Sequence, residues 1–204
     1  MPELHRDNLS PSRFYRSYFQ TYVERDVRQL AKLKDFAQFE TFVRLCAGRT
    51  GQVLNLSSLS NDTGVSIPTI SHWLSILEAS LIIFCLHPYF ENFGKRLIKS
   101  PKLYFVDTGL ASWLLGLETA QQLARDPLRG SLFENLVITD TLKTRFNRGK
   151  NPQLYYFRDS HGNEVDLILS YGRMLQPIEI KASRTWNSSF IKGIQYFSKL
   201  VGDR

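Results

Sequence analysis

The chain has 204 residues, 43% of them hydrophobic and 22% charged, with a formal net charge of +7. That hydrophobic content excludes an intrinsically disordered chain, and the length allows one large or two small domains. The longest apolar run, residues 81–86, is far too short to cross a bilayer, no secretory signal is visible, and the excess of Lys and Arg favours an acidic or polyanionic partner.

Residues 1–11 read as a polar lead-in. Residues 12–35 carry Phe14, Tyr15, Tyr18, Tyr22, Val23 and Val27 at helical spacing. A second helix over residues 35–47 turns Phe36, Phe39, Phe42, Val43 and Cys46 inward and ends at Gly48 and Gly51. Residues 1–52 are thus a helical lead-in. Cys46 and Cys85 lie in the apolar stretches VRLCAG and IIFCLH, which suits reduced core cysteines of a cytoplasmic protein.

Residues 53–120 have the order of a winged helix-turn-helix. Ser57 is a candidate N-cap, Gly64 makes a turn, and Ile67-Pro68 opens a second helix with proline in its first turn. Ile70, Trp73, Leu74 and Leu77 are its inward positions, leaving Thr69, Ser71, His72 and Ser75 outward. The run 81–86 reads as a strand, and residues 95–98 and 103–106 supply a returning strand. The hairpin would present Lys95, Arg96, Lys99 and Lys102 to phosphates. The competing reading is a winged helix used only for protein packing. Asp107 is a candidate N-cap for a helix over residues 110–117.

A polar bridge at residues 121–129 separates a second module, residues 128–204. Its first helix, residues 130–145, carries Glu134, with Phe133, Leu136, Val137 and Thr141 expected inward and Lys143, Arg145, Arg148 and Lys150 near its basic end. A strand over residues 153–157 follows. Arg158 and His161, in the next turn, either reach a phosphate or stabilise that turn.

The stretch NEVDLILSYGRMLQPIEIKAS, residues 163–183, carries the chemistry. Glu164, Asp166 and Ile168 alternate with Val165, Leu167 and Leu169, and residues 177–181 alternate again beyond a Tyr171-Gly172 turn. A loop centred between Tyr171 and Gly172 pairs Asp166 with Pro177 and Glu164 with Glu179. Asp166 and Glu179 are then diagonal neighbours on one face, roughly 7–8 Å apart. Two carboxylates beside Lys181 suit a hard divalent cation, which can activate water and stabilise a phosphoryl transition state. The competing reading is a surface salt bridge between Glu179 and Lys181. A last helix spans residues 186–201, with Phe190, Ile194, Tyr196, Phe197 and Leu200 apolar.

The spacing D-x12-E-x-K, here Asp166, Glu179 and Lys181, resembles the PD-(D/E)xK nuclease superfamily, which often adds a glutamate on the preceding helix, the place of Glu134. The segments YFQTYVERDV, KLYFVDTGLASWLLG, GSLFENLVITDTL, YYFRDSHGNEVDLIL and IEIKAS together resemble the C-terminal region of prokaryotic AAA-type ATPases. The resemblance implies an α+β chain: a helical and winged-helix domain, then a three-layer α/β restriction-endonuclease-like domain. It implies Glu134, Asp166, Glu179 and Lys181 as the nuclease-like set, Asp166 and Glu179 as ligands of Mg2+ or Mn2+, and DNA as a partner. No G-x-x-x-x-G-K-[ST] occurs, so ATP belongs to an ATPase module outside this chain. The nuclease-like domain is expected to lack a final strand, and an open sheet edge would favour self-association. A non-cleaving module that binds DNA or protein, or serves oligomerisation, is the alternative.

Overall fold

A computed structural model describes residues 10–27, 36–89 and 97–202. These form a mixed α+β structure with two small antiparallel sheets. Helix α1 (Pro11–Tyr18) widens into π-helical turns over Phe19–Val27, and α2 spans Phe36–Gly48. Helices α3 (Leu56–Thr63) and α4 (Ile67–Ala79) follow. The cap of α3 is Asn55, whose side chain accepts from the Ser58 amide, so Ser57 lies inside the first turn instead of capping it. Ser66 caps α4 and Gly64 ends α3 with φ +68°, a left-handed conformation that favours glycine. Ile70, Trp73, Leu74 and Leu77 are buried as their spacing required.

Strands β1 (Ile83–Leu86) and β2 (Lys102–Phe105) pair antiparallel. The alternation of β2 divides the molecule. Leu103 and Phe105 enter the core of the helical module, beside Phe39, Phe42 and Trp73. Tyr104 joins the core of the second module, with Ile138, Tyr156 and Leu167. By the period of a strand, Lys102 shares the Tyr104 face.

Helix α5 (Thr108–Leu114) is capped by Asp107, which accepts from the Leu110 amide at 2.8 Å and from the Tyr15 hydroxyl at 2.7 Å. After α6 (Ala120–Arg125), α7 (Arg129–Asn147) buries Leu132, Asn135, Ile138, Thr139, Leu142 and Arg145. This corrects the expected inward face: Phe133 and Leu136 are exposed. The true face includes polar residues that are satisfied in place, so apolarity alone selected the wrong stripe. Asn135 Oδ1 accepts from the Phe105 amide at 2.8 Å and from Thr50 Oγ1 at 2.6 Å, while Nδ2 donates to Phe105 O and Thr108 Oγ1. One buried amide therefore ties α7 to β2 and to the end of α2.

Strands β3 (Leu154–Arg158), β4 (Glu164–Tyr171) and β5 (Met174–Ile178) form the second sheet in the order β3-β4-β5. The flanks of the β1–β2 connection also reach it. Tyr89 donates its amide to Tyr156 O, and the Ile98 amide donates to Arg158 O. Those flanks are held against β3. A short 3-10 turn (Ser188–Ile191) leads into α8 (Lys192–Val201), which packs on β4 and β5.

Candidate functional site

Two irregularities place the acids. Tyr155 pairs with Ile168 and Phe157 with Val165, so Tyr156 alone opposes both Asp166 and Leu167. This bulge breaks the simple alternation of β4. Val165 packs with Ile168, Phe157 and Phe197, while Leu167 and Leu169 pack with Tyr156 on the other side. Bulges re-aim side chains in this way. The second irregularity is the turn. Tyr171 pairs with Met174, leaving Gly172-Arg173 as a two-residue loop. Gly172 has φ +68°, which a first loop position in tight hairpins demands. The register is therefore two residues from that expected: Ile168, not Asp166, faces Pro177. A two-residue shift preserves the face, and continuing the ladder sets Glu179 opposite Asp166.

The side chains of Glu134, Asp166, Glu179 and Lys181 meet at one place, with partners the spacing argument missed. Lys181 Nζ lies 3.1 Å from Asp166 Oδ2 and 2.5 Å from Glu179 Oε1. Asp166 Oδ2 also accepts from the Ile180 amide at 2.9 Å. On its other side stands Lys102, whose Nζ is 2.5 Å from Glu164 Oε1, 3.1 Å from Glu134 Oε1 and 3.9 Å from Asp166 Oδ1. Tyr104 donates its hydroxyl to Glu134 Oε1 at 2.5 Å. Arg158 pairs with Glu164 Oε2 at 3.3 Å. Four carboxylates thus face three cations, leaving one net negative charge. Glu179 Oε2 is buried and has no hydrogen-bond partner among the described residues.

The environment shifts several of these groups. Burial pushes the Glu134 carboxyl up, aided by Asp166 and opposed by Lys102 and Tyr104. Burial raises Glu179 too, against the pull of Lys181. For Lys102, burial would lower the ammonium, but Glu134, Glu164 and Asp166 together hold it above its usual range. Lys181 is raised likewise by Glu179 and Asp166 against its partial burial.

The other candidates are placed elsewhere. Lys99 is exposed, and Lys95 and Arg96 lie outside the described residues. Lys102 is 2% exposed, so it is positioned to bind the acids instead of a phosphate on the surface. His161 is exposed, and the turn around it is organised by Asp159, which accepts from the His161 and Asn163 amides.

Three contributors were missed. Glu164 lies two residues before Asp166, a spacing that signals a shared strand face. Lys102 opens an otherwise apolar buried strand, KLYF, a signal that it needs a buried partner. Gly193 on α8 sits where a Cβ would overlap the Glu164 carbonyl oxygen and come within 3.8 Å of Glu179 Oε2; glycine permits that close approach.

Among the described residues no group of three or more His, Cys, Asp or Glu is arranged to hold a metal ion. Mg2+, however, is commonly held by one or two carboxylates and water. Asp166, Glu179 and the unpartnered Glu179 Oε2 fit that modest requirement in donor chemistry. Among the described residues no helix is long and apolar enough to cross a membrane.

A family model described as Domain of unknown function (DUF8612) matches residues 1–121, and one described as Domain of unknown function (DUF4143) matches residues 129–204. The first covers more than half of the chain, which belongs to that family. The chain is 31% identical over 180 residues to uncharacterized proteins of Mycobacterium tuberculosis and Mycobacterium bovis, a match covering 88% of this chain and 40% of each relative. It is 27% identical over 135 residues to an uncharacterized protein of Haemophilus influenzae, covering 63% of this chain and 32% of that protein. The chain therefore spans about 40% of the length of the first two relatives. No solved structure matches it.

Proposed function

We propose that this chain is the DNA-handling part of a larger AAA-type ATPase, a winged-helix module joined to a nuclease-like module whose Asp166, Glu179 and Lys181 serve Mg2+-dependent phosphodiester hydrolysis. The observation that carries the reading is the convergence of Lys181 on both carboxylates, at 3.1 and 2.5 Å, beside a buried Glu179 oxygen without a partner. The greater length of the relatives leaves room for an ATPase module in them.

In this reading Asp166 and Glu179 would hold the cation, whose chemistry there would be Lewis-acid stabilisation of a phosphoryl oxygen and activation of a water. Lys181, 40% exposed at its side chain, orients the attacking water and offsets charge developing on the phosphate. Glu134, with its raised pKa, can hold a proton on the inner side of the cluster. The two-residue turn sets the β4–β5 register, and Gly193 lets α8 approach the Glu164 carbonyl oxygen beside Glu179.

Lys102 favours a second reading. Its ammonium already lies among Glu134, Glu164 and Asp166 and neutralises much of their charge. A cluster balanced by its own lysine suits a non-cleaving module that binds DNA or protein.

Titration calorimetry with Mg2+ and Mn2+ on the chain and on its Asp166→Ala and Glu179→Ala variants separates the two. Binding by the parent that both variants lose supports the hydrolytic site, and cleavage of plasmid DNA is then expected to require the same residues. A parent that binds neither ion sinks the hydrolytic reading and leaves the non-cleaving module.

A further inference from the structure

Beside the acid cluster lies an open cavity of about 490 Å3, lined among others by Lys181, Ser183, Arg184, Trp186, Phe190 and Ile194. Its composition differs from that of a core void. Trp186 is 68% exposed, which is unusual for so large an apolar side chain and is not needed to complete any core. The indole meets the Phe190 ring edge-on, with centroids 6.0 Å apart and planes at 85°. That contact sets the indole against the 3-10 turn that leads into α8 while leaving it open to solvent. Two cations, Arg184 and Lys181, and the Glu179 carboxylate share the cavity with the indole, and Ser183 and Thr185 flank Arg184 in sequence.

We propose that this cavity receives one unstacked nucleotide of a single-stranded nucleic acid, with the base on Trp186 and the adjoining phosphate between Arg184 and Lys181. The inference rests on the hydrolytic reading only for what happens to that phosphate next. An exposed indole offers a π-face to any base, and cations beside it follow the backbone. A base inside a duplex has both faces covered by its neighbours and cannot present one to Trp186. The cavity is large enough for a nucleotide and falls in the size range of small-ligand sites. Lys181 belongs both to the cavity and to the Asp166–Glu179 pair. A phosphate held there would therefore adjoin the carboxylates. The formal charge of +7 adds a general attraction for the strand.

The test is fluorescence anisotropy of labelled oligothymidylate and of a blunt-ended duplex of matched length, compared at each step of one salt series and with EDTA present to prevent cleavage. The parent is expected to bind the single strand more tightly than the duplex. Trp186→Ala is expected to weaken single-strand binding about five- to 150-fold, the range set by one stacked base, with duplex binding unchanged. Trp186→Phe should recover most of the affinity, and Arg184→Ala should flatten its salt dependence. Because Trp186 is exposed, these variants are expected to keep the parent's circular dichroism spectrum and melting temperature. Equal single-strand affinity of Trp186→Ala and the parent, or tighter binding of the duplex by the parent, would overturn the proposal. Trp186-dependent binding by a chain that takes up no Mg2+ sinks the hydrolytic reading and keeps this one. Mg2+ uptake without Trp186-dependent binding does the reverse.

Discussion

Replacing Lys102 by Met removes a single positive charge from the interior and nearly preserves the side chain's length. The ammonium is 2% exposed and lies within 3.9 Å of three carboxylates, two of them at 2.5 and 3.1 Å. Removing one partner of a buried ionic cluster costs about 3–5 kcal/mol, because the remaining charges stay desolvated without compensation. The carboxylates left behind can escape that cost only by binding protons. Glu134, already raised by its burial, is the first able to do so. The loss should therefore be largest at neutral pH and shrink as the pH falls into the carboxylate range. Urea unfolding followed by circular dichroism, at neutral and mildly acidic pH, measures both quantities. Adding Glu134→Gln to Lys102→Met should restore about 1 kcal/mol or more at neutral pH, since it removes the carboxylate left facing only the Tyr104 hydroxyl, which can still donate to the amide oxygen. A Lys102→Met variant that loses less than about 1 kcal/mol at neutral pH, the level of an exposed ion pair, would refute the idea that this ammonium holds the cluster together.

Three further outcomes follow from the same geometry. Because the folded-state pKa of Lys102 lies above its ordinary value of 10.5, its contribution is fully present below that value and is lost as the pH rises through the folded pKa; alkaline unfolding curves of the parent and Lys102→Met should converge there. Gly193→Ala places a methyl group against the Glu164 carbonyl oxygen, so it should destabilise by about 1–3 kcal/mol as overpacking does and weaken any Mg2+ binding seen by calorimetry, whereas Gly130→Ala, helical and with nothing near its Cβ, should stabilise slightly and leave Mg2+ binding unchanged. Asn135→Ala strips partners from the Phe105 backbone and from Thr50, at about 1–3 kcal/mol for each buried group left unpaired; hydrogen exchange should show β2 losing protection with α7.

Much of the architecture is local and could be read along the chain. Gly64 and Gly172 mark turns because the backbone takes positive φ at both, and Asp107 caps a helix because an acid precedes an apolar run. The inward face of α4 follows from a clean 3.6-residue period. The same method failed on α7, whose buried face contains Asn135, Thr139 and Arg145. A polar residue can lie inside only when a partner waits there, and Asn135 has its partners on β2 and α2.

The candidate site divides along the same line. The sequence by itself selects Asp166, Glu179, Lys181 and Glu134, because an acid and E-x-K on neighbouring strands keep one face under any even shift of register. That is why a register misplaced by two residues still brought Glu179 to Asp166. Only the tertiary structure decides the rest. The bulge opposite Tyr156 lets Leu167 and Leu169 join the core of Tyr156 while Val165 and Ile168 face the other side. The β1–β2 sheet, lodged between two cores, sends Lys102 from the first module into the acids of the second. Gly193 lets α8 close over Glu164. Each of these depends on contacts between residues far apart in the chain, and no periodicity within one segment encodes where another segment will lie.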